Sequence, residues 1–403
     1  MKRDYQTHVF TSTYTADVSG VCSAMYELGG MSVIHDPSGC NSTYSTHDEP
    51  RWFDTDSLMY VSGIDEMTAV MGDDDVLIRD VTAAAADLDP RFITLCGASI
   101  PHIIAFDYKG VARLIERSCR IPVLPVATDG LKSYVSGVGL AWKAWLERFA
   151  DPAEYNPSSS SDALSVNLVG VTPLDFSING NDLLLRKTME EAGFQVNTCM
   201  AMGDSFENMR HAFKAKLNVV VSSSGLIPAK YMKAVSGMPM VCGLPVGPEQ
   251  TAVLIDAAFR TVKDRKDRVC WTQSDPSFED RYKVPGGGIL VIGEEYFARS
   301  LANAINLLGA DDRCGLFAYA LWPDVDEGLP EDELTSAMRS SRIVIADPLY
   351  KIILRADDHV RFIDFPHEAY SGRIFRKDIP LFAGPSFHVK QLIKQTRGSA
   401  ICM

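Results

Sequence analysis

Short apolar runs alternate with helical patterns along most of the chain. In the middle third, residues 165–171 and 218–223 are predicted strands, and residues 182–193 and 251–262 are predicted helices. The strands are apolar at nearly every position, which is typical of parallel strands that are buried on both faces. This part of the chain therefore predicts a Rossmann-like α/β domain.

The last third repeats this alternation, and the first third follows it less regularly. Predicted strands occupy residues 91–96, 121–126, 289–293 and 341–347, and predicted helices occupy residues 103–119, 134–149 and 294–308. The fold class expected from the whole pattern is α/β, with three Rossmann-like domains and mostly parallel sheets.

Two polar segments divide these regions. Residues 151–162 are rich in Pro and Ser, and residues 271–288 are polar and end in three glycines, which is typical of linkers or exposed loops. The predicted domains are an N-terminal domain over 1–158, a second Rossmann-like domain over 159–280 and a third over 281–403.

The composition and charge of the chain argue against several classes of function. The 403 residues carry 39 basic and 52 acidic side chains, for a net charge of −13, which disfavours a sequence-independent nucleic-acid binder. There is no apolar run long enough to span a membrane, and the N-terminus lacks the apolar core of a signal peptide. We therefore expect a cytoplasmic protein with no nucleic-acid or membrane partner.

The usual nucleotide-binding motifs are missing. The chain contains no GxxxxGK[ST] loop and not even one Gly-Lys pair, so it has no Walker A site for ATP. The segment VIGEEY lacks two glycines of the dinucleotide fingerprint and places Glu294 and Glu295 where a pyrophosphate would bind. We therefore expect the Rossmann-like crevices to hold something other than NAD or ATP.

Nine cysteines occur with no CxxC pair, and three of them share one kind of setting. Cys22, Cys40 and Cys96 each lie beside small residues at a predicted turn or strand end. Small neighbours permit close approach of an inorganic group, and a helix after Cys96 predicts a lowered thiol pKa there. Spacing alone leaves a second interpretation open, in which these are three unrelated buried thiols. The small neighbours are Gly20, Ser23, Gly39, Gly97 and Ala98.

The segment VIHDPSGCNSTY, which contains Cys40, resembles the His-Gly-Pro-x-Gly-Cys segment of the nitrogenase component 1 family. Cys22 precedes it and Cys96 ends the strand ITLCGAS, so all three cysteine positions of the family are filled in order. The downstream segments FKAKLNVVVSS and SRIVIADPLYKIILRADDHVRFIDFPHEAYSGR are similar to the family's second and third domains.

This resemblance implies a site, a cofactor and partners. Cys22, Cys40 and Cys96 are implied to hold an iron–sulfur cluster at a subunit interface, either a 4Fe–4S cluster or a P-cluster-like 8Fe–7S centre. Electrons are implied to come from a separate P-loop ATPase iron–sulfur reductase. The chain is implied to form a homodimer or a heterotetramer with a related subunit.

Three positions mark departures from the nitrogenase pattern. Ser222 stands where the nitrogenase α subunit has the Cys that ligates its iron–molybdenum cofactor, and a hydroxyl is a poor ligand for such iron. His367 falls near the position of the family's other cofactor ligand, which is a histidine. The alternative is that His367 only forms hydrogen bonds to the backbone. Asp36 is either a carboxylate ligand of the cluster or, as we prefer, a loop cap.

The expected function is the catalytic component of a nitrogenase-like reductase. Its substrate pocket is predicted between the domains, framed by the loops over 222–225 and 286–288 and by His367, with Ser222 and His367 as candidate residues. A cofactor-assembly scaffold without turnover is the alternative. A metal-free binding protein with structural cysteines is a third option.

Overall fold

The computed structural model describes residues 9–37, 39–46, 48–157, 164–271, 288–311, 317–322 and 331–394, except for the side chain of Cys40 and a few others. Three separate sheets form, and every strand pair within them is parallel. The predicted α/β class with parallel sheets is therefore confirmed.

The first sheet has the strand order β2-β1-β3-β4. Its strands are β1 Met31–His35, β2 Leu58–Val61, β3 Ile93–Gly97 and β4 Val123–Pro125. The helices around it are α1 Asp17–Met25, α2 Glu66–Met71, α3 Asp75–Leu88, α4 Ser99–Ile103, α5 Tyr108–Cys119 and α6 Tyr134–Phe149. Helix α1 packs along α6, and together they form much of the core of this part of the chain.

The second sheet has the order β6-β5-β7-β8-β9. Its strands are β5 Leu164–Val171, β6 Phe194–Ala201, β7 Leu217–Val220, β8 Met240–Cys242 and β9 Arg268–Val269. Its helices are α7 Pro173–Phe176, α8 Asn181–Glu191, α9 Phe206–Arg210, α10 Leu226–Ser236 and α11 Gly247–Asp264.

The third sheet has the order β11-β10-β12-β13. Its strands are β10 Ile289–Ile292, β11 Ala318–Leu321, β12 Ile343–Ala346 and β13 Arg361–Asp364. Its helices are α12 Glu295–Asp311, α13 Glu331–Ser340, α14 Glu368–Phe375 and α15 Val389–Lys394. One apolar core cluster runs from the second sheet into the third, so these two regions pack directly on each other.

All three sheets are doubly wound. In each sheet, the strand that comes first in the chain lies between the second strand and the third strand. The connections that leave the first and third strands run in opposite directions, which opens a crevice at the carboxyl ends of these strands, and α/β sheets bind ligands in this crevice. These switch points lie between β1 and β3, between β5 and β7, and between β10 and β12.

The predicted helix over 134–149 matches α6 from end to end. The single helix predicted over 103–119 was wrong, because the chain forms α4 and α5 with a break between them. Ala105 has a positive φ of 54°, and the Asp107 side chain accepts from the Gly110 amide to start α5 anew.

The strands of each sheet fall within one of the three predicted segments. The proposed boundaries themselves lie at residues 158–163 and 272–287, outside the described residues, so the domain limits stay a prediction. Within the described part of the chain, the helices are too short or too polar to cross a bilayer.

Candidate functional site

Two of the three predicted cysteines lie together at the switch point of the first sheet. Cys96 lies near the end of β3 and pairs with Ile34 of β1 across the sheet. Cys22 projects from α1 and lies in the same core cluster as Cys96, close enough for the two thiols to interact electrostatically. The Cys96 thiol donates to the Val33 carbonyl oxygen of β1 over 3.7 Å. Both cysteines are completely buried. The fold thus brings together two of the predicted residues that are 74 positions apart in the chain, and their binding of a cluster stays a prediction.

Cys40 starts the short 3-10 turn Cys40–Ser45, five residues after the end of β1. This turn packs against α1, the helix that carries Cys22. The Cys40 side chain is not among those described, so its distance from the pair stays a prediction. Among the side chains described, no three His, Cys, Asp or Glu residues form a metal-binding group.

The expectation of a lowered thiol pKa at Cys96 was wrong. Contact with the Cys22 thiol and burial raise the pKa of Cys96 well above its ordinary value. The residue lies within β3 rather than at the helix start, and α4 after it has only five residues. Such a short helix contributes too little dipole to offset the burial of a thiolate.

The small residues beside the cysteines have packing reasons that the sequence could not reveal. A Cβ at Gly20 would lie 2.1 Å from the Tyr134 carbonyl oxygen of α6. A Cβ at Gly97 would lie 2.4 Å from the Tyr108 hydroxyl. Gly39, by contrast, is exposed, and among the described residues nothing lies within 4 Å of a Cβ built there.

Arg51 was not predicted, and it ties together the elements that carry the cysteines. Its Nε donates to Glu49 Oε1 over 2.7 Å, and its Nη1 donates to Glu27 Oε1 over 2.9 Å. Its Nη2 donates to the Ser23 carbonyl over 2.8 Å, directly after Cys22. Nη1 also donates to the Ala201 carbonyl of β6 over 3.0 Å. Arg51 thereby fixes α1 against the segment after Cys40 and against the second sheet.

Two buried polar atoms near the thiols have no hydrogen-bond partner among the described residues. They are Asp36 Oδ1 and the Tyr108 hydroxyl, whose pKa is raised chiefly by burial and further by Cys96. The other Asp36 oxygen accepts from the Asn41 amide, as a loop cap would. The two neighbouring buried thiols and the unpartnered polar atoms of the described residues fit a thiolate-bound inorganic group.

A second group of polar residues lies where the switch points of the second and third sheets face each other. Asp175 follows β5, and Thr172 Oγ1 donates to its Oδ2 over 2.7 Å. Ser224 Oγ, after β7, donates to the same oxygen over 3.1 Å. Tyr14 donates its hydroxyl to Asp175 Oδ1. We call this region the junction site.

Glu294 enters the junction site from the end of β10. Its Oε1 accepts from the Ser223 amide over 2.8 Å and from Ser223 Oγ over 2.7 Å. Its Oε2 accepts from the Phe297 amide over 2.9 Å, so the side chain also caps α12. Burial, followed by the charge of Asp175, raises the pKa of Glu294 to about 8.

The two predicted pocket residues lie within this region. Ser222 is completely buried, and its hydroxyl donates to the Gly170 carbonyl over 2.6 Å. The His367 ring lies 5.9 Å from the Tyr14 ring, centre to centre. The His367 amide donates to Asp347 Oδ2 over 2.9 Å, and burial lowers the pKa of its imidazole to about 3. Of the predicted glycine loop over 286–288, residues 286 and 287 lie outside the described residues. Gly288 lies at the amino end of β10, opposite the end that is followed by Glu294.

A cavity of about 20 Å³ lies in the junction site, lined in part by Tyr14, Ser223, Glu294 and Tyr370. This volume holds one water-sized group. Asp175 and Glu294 were not predicted as site residues. The only sequence signal was that each follows an apolar strand that begins a Rossmann-like unit.

Comparison with known proteins identifies the family. The model of the family described as "Nitrogenase component 1 type Oxidoreductase" matches residues 19–270. A light-independent protochlorophyllide reductase subunit of Synechococcus sp. (strain ATCC 27144) is 24% identical over 196 residues, covering 47% of this chain and 39% of that protein. The nitrogenase iron-molybdenum cofactor biosynthesis protein NifE of Methanococcus maripaludis is 24% identical over 220 residues, covering 52% of this chain and 43% of that protein.

These matches span less than half the length of either relative. A solved structure titled "Nitrogenase Cp1 at pH 6.5" aligns with a TM-score of 0.66 at 12% identity, covering 98% of this chain and 94% of that chain. This likeness shows a shared fold over nearly the whole chain. The match to the family model covers well over half of the residues, and the chain therefore belongs to the nitrogenase component 1 type oxidoreductase family.

Proposed function

We propose that this chain is the catalytic component of a nitrogenase-like reductase. It accepts low-potential electrons from an ATP-dependent iron–sulfur partner and passes them to a substrate through an iron–sulfur cluster at a subunit interface. The position of the buried Cys22 and Cys96 thiols in one cluster at the first switch point carries this proposal. Similarity to a subunit of light-independent protochlorophyllide reductase supports it.

Cys22, Cys40 and Cys96 would hold the cluster, of either the 4Fe–4S or the 8Fe–7S type. When bound, such a cluster supplies one-electron transfer at low potential. The thiols must lose their protons to bind iron, because the thiolate is the ligand. Arg51 holds α1 against the segment after Cys40. The Cys22 and Cys96 thiols are buried away from water.

The proposed partners follow from what this chain lacks. The chain has no Walker A loop, so ATP hydrolysis belongs to a separate P-loop ATPase iron–sulfur reductase. A homodimer or a heterotetramer with a related subunit would complete the cluster site. Thiolate-bound clusters persist in a reducing compartment, which fits a cytoplasmic location.

Electron delivery tests the reductase function. The anaerobic protein is mixed with a P-loop ATPase iron–sulfur reductase and MgATP, and its electron paramagnetic resonance spectrum is recorded. We expect a reduced-cluster signal that depends on ATP and disappears when a reducible substrate is added. A protein that receives no electrons under these conditions contradicts the proposal.

A scaffold that assembles a metal cofactor for another protein is the second candidate. Similarity to a protein named for cofactor biosynthesis favours it, as does Ser222. The Ser222 hydroxyl is bound to the Gly170 carbonyl, so no free side-chain ligand exists at that position. Transfer of a loaded metal cluster to a recipient protein, without substrate turnover, would favour the scaffold over the reductase.

A further inference from the structure

A cavity lies on the face of the first sheet that is opposite to the cysteines. Ile34 of β1 packs with Cys22 and Cys96 in one core cluster. Its neighbour Val33 packs with Leu77 of α3 in another cluster, because side chains alternate between the two faces of a strand. On this second face, a cavity of about 260 Å³ lies between the strands β1 and β2 and the helices α2 and α3. We call it the α3 cavity, and the sheet separates it from the cysteine site.

The walls of the α3 cavity are mostly apolar. Val33 and Val61 line it from the strands, and Leu77 and Val81 line it from α3. An apolar hollow with a small number of polar groups is the usual form of a site for a small molecule. The volume is below the range of about 300–1,000 Å³ for drug-sized ligands, which indicates a molecule of about one ring.

The charges around the cavity indicate an uncharged ligand. The described residues that line it include no Lys or Arg, so an anion would lose its hydration without gaining a counter-charge. Its two acids, Asp65 and Asp80, are exposed, and both have partners already. Asp65 accepts from the Thr68 amide over 2.7 Å, and Asp80 pairs with Arg79 over 3.0 Å. A cation is therefore not needed to balance them.

One polar side chain of the cavity is buried and has an atom without a partner. His35 is 3% exposed, and its Nδ1 lies 2.9 Å from Ser62 Oγ. Ser62 Oγ accepts from the Asp36 amide over 3.1 Å, and the Asp36 carbonyl oxygen lies farther away, at 3.4 Å. The Ser62 hydroxyl therefore donates to the nearer Nδ1, which leaves the proton of the ring on Nε2.

The Nε2 proton of His35 has no acceptor among the described residues. The Phe106 ring lies 4.4 Å from the imidazole, centre to centre, and holds it in place. A buried N–H group without an acceptor is costly, and in folded proteins water or a ligand usually satisfies it. His35 lines the α3 cavity, so an occupant of this cavity can supply the acceptor.

We propose that the α3 cavity binds a small uncharged molecule with an apolar body and one hydrogen-bond acceptor, and that His35 Nε2 donates to this acceptor. The apolar walls bury the body of the molecule, and the N–H group selects its head group. This binding site does not depend on the reductase function, because the sheet lies between the cavity and the cysteines.

Titration of the full-length protein with acetophenone, followed by nuclear magnetic resonance, tests the site. Acetophenone combines one ring with one carbonyl acceptor, and the methionine methyl groups of the protein carry a carbon-13 label. We expect a saturable shift of the Met31 signal, because Met31 lines the cavity, and no shift of the Met232 signal in α10. Benzoate keeps the ring but carries a negative charge, so it should bind at least about tenfold more weakly. An unshifted Met31 signal with acetophenone, or equal affinity for benzoate, overturns the proposal.

Two alanine variants locate the binding. Ala84 lines the cavity from α3, so the larger side chain of Ala84→Leu should fill it and abolish the shift caused by acetophenone. Ala83→Leu is the matched control, because Ala83 lies on the same helix, is exposed and does not line the cavity. An Ala84→Leu protein that binds acetophenone as tightly as the wild type overturns the proposal.

The variant His35→Phe tests the hydrogen bond. It keeps a ring and removes the donor, so it should weaken the binding of acetophenone about tenfold. The binding of ethylbenzene, which has no acceptor, should stay unchanged. Unchanged affinity for acetophenone, or an equal loss for both molecules, contradicts the donor role of His35.

Discussion

The cysteine site and the junction site occupy equivalent places in different sheets. Both lie at the carboxyl ends of strands, at switch points of doubly wound sheets. The first switch point presents thiols, whereas those of the second and third sheets present carboxyl and hydroxyl groups. The comparison teaches that the fold supplies the crevice, and that the residues following each strand decide its chemistry.

The two sites are also held in different ways. Beside the cysteines, the buried Arg51 lies between the carboxylates of Glu49 and Glu27 and forms an ion pair with each. In the junction site no cation balances Asp175 and Glu294 among the described residues, and hydroxyl groups surround the pair. The cysteine site is therefore fixed by ion pairs, and the junction site by hydrogen bonds from hydroxyl and amide groups.

The largest expected effect is that of Arg51→Met. The change leaves the buried Glu49 carboxylate unpaired and should lower the free energy of unfolding by about 3–5 kcal/mol. Anaerobic urea unfolding measures it. Arg79→Met is the matched control, because the Arg79–Asp80 pair is exposed and should cost less than about 1 kcal/mol. Equal losses of unfolding free energy in the two variants would show that Arg51 does not hold these elements together.

Gly97→Ala should destabilise the protein by about 1–3 kcal/mol, because the new Cβ meets the Tyr108 hydroxyl and the His35 carbonyl oxygen. Gly39→Ala, before Cys40, places its Cβ in open space and should change stability by less than about 0.5 kcal/mol. Thermal unfolding compares them. If both substitutions are tolerated, close packing does not explain the glycine at Gly97.

Each site includes one buried histidine, His35 near the cysteines and His367 in the junction. Burial lowers their pKa values to about 4 and about 3, so the folded state binds fewer protons than the unfolded state below about pH 6.5. Stability is therefore lost as the pH falls from about 6.5, by about 1.4 kcal/mol per pH unit for each histidine.

Replacing either histidine with Gln should reduce the loss of stability measured between pH 7 and pH 5. His102→Gln, at an exposed position, should leave that loss unchanged. Urea unfolding at the two pH values makes the comparison. If His35→Gln and His367→Gln lose as much stability as the wild type on acidification, these rings are not held neutral.

The smallest expected effect is that of Asp36→Ala. As a loop cap, Asp36 accepts from Asn41, and its loss should cost about 1 kcal/mol. The electron paramagnetic resonance spectrum of the reduced protein should stay unchanged. A changed spectrum would instead identify Asp36 as a cluster ligand through its unpartnered Oδ1.

Sequence reasoning singled out Cys22 and Cys96, which the fold brings together, but missed Asp175 and Glu294, and the difference has a physical reason. A cysteine is a candidate metal ligand by its residue type alone, so the sequence is enough to single it out. The strand order then places Cys96 beside β1. Asp175 and Glu294 are ordinary acids after strands, and only the packing of two sheets makes them neighbours. The anchoring by Arg51 also needed the structure, because its partners are spread over three elements.

The α/β class followed from apolar strands that alternate with helices, and helix α6 was predicted to the residue because its apolar face is continuous. The break between α4 and α5 was missed. It depends on the positive φ of Ala105 and on the Asp107 cap, and neither leaves a periodic signal. Local backbone geometry and long-range packing therefore account for most of what sequence reasoning missed.

Iron and acid-labile sulfide per chain, measured after strictly anaerobic purification, show whether these cysteines bind a cluster. We expect a wild type that contains both, and Cys22→Ser and Cys96→Ser proteins that have lost most of each. Cys199→Ser, which alters a buried thiol in the core of the second sheet, should keep them. A wild type free of iron, or a Cys96→Ser protein as rich in iron as the wild type, would contradict this expectation.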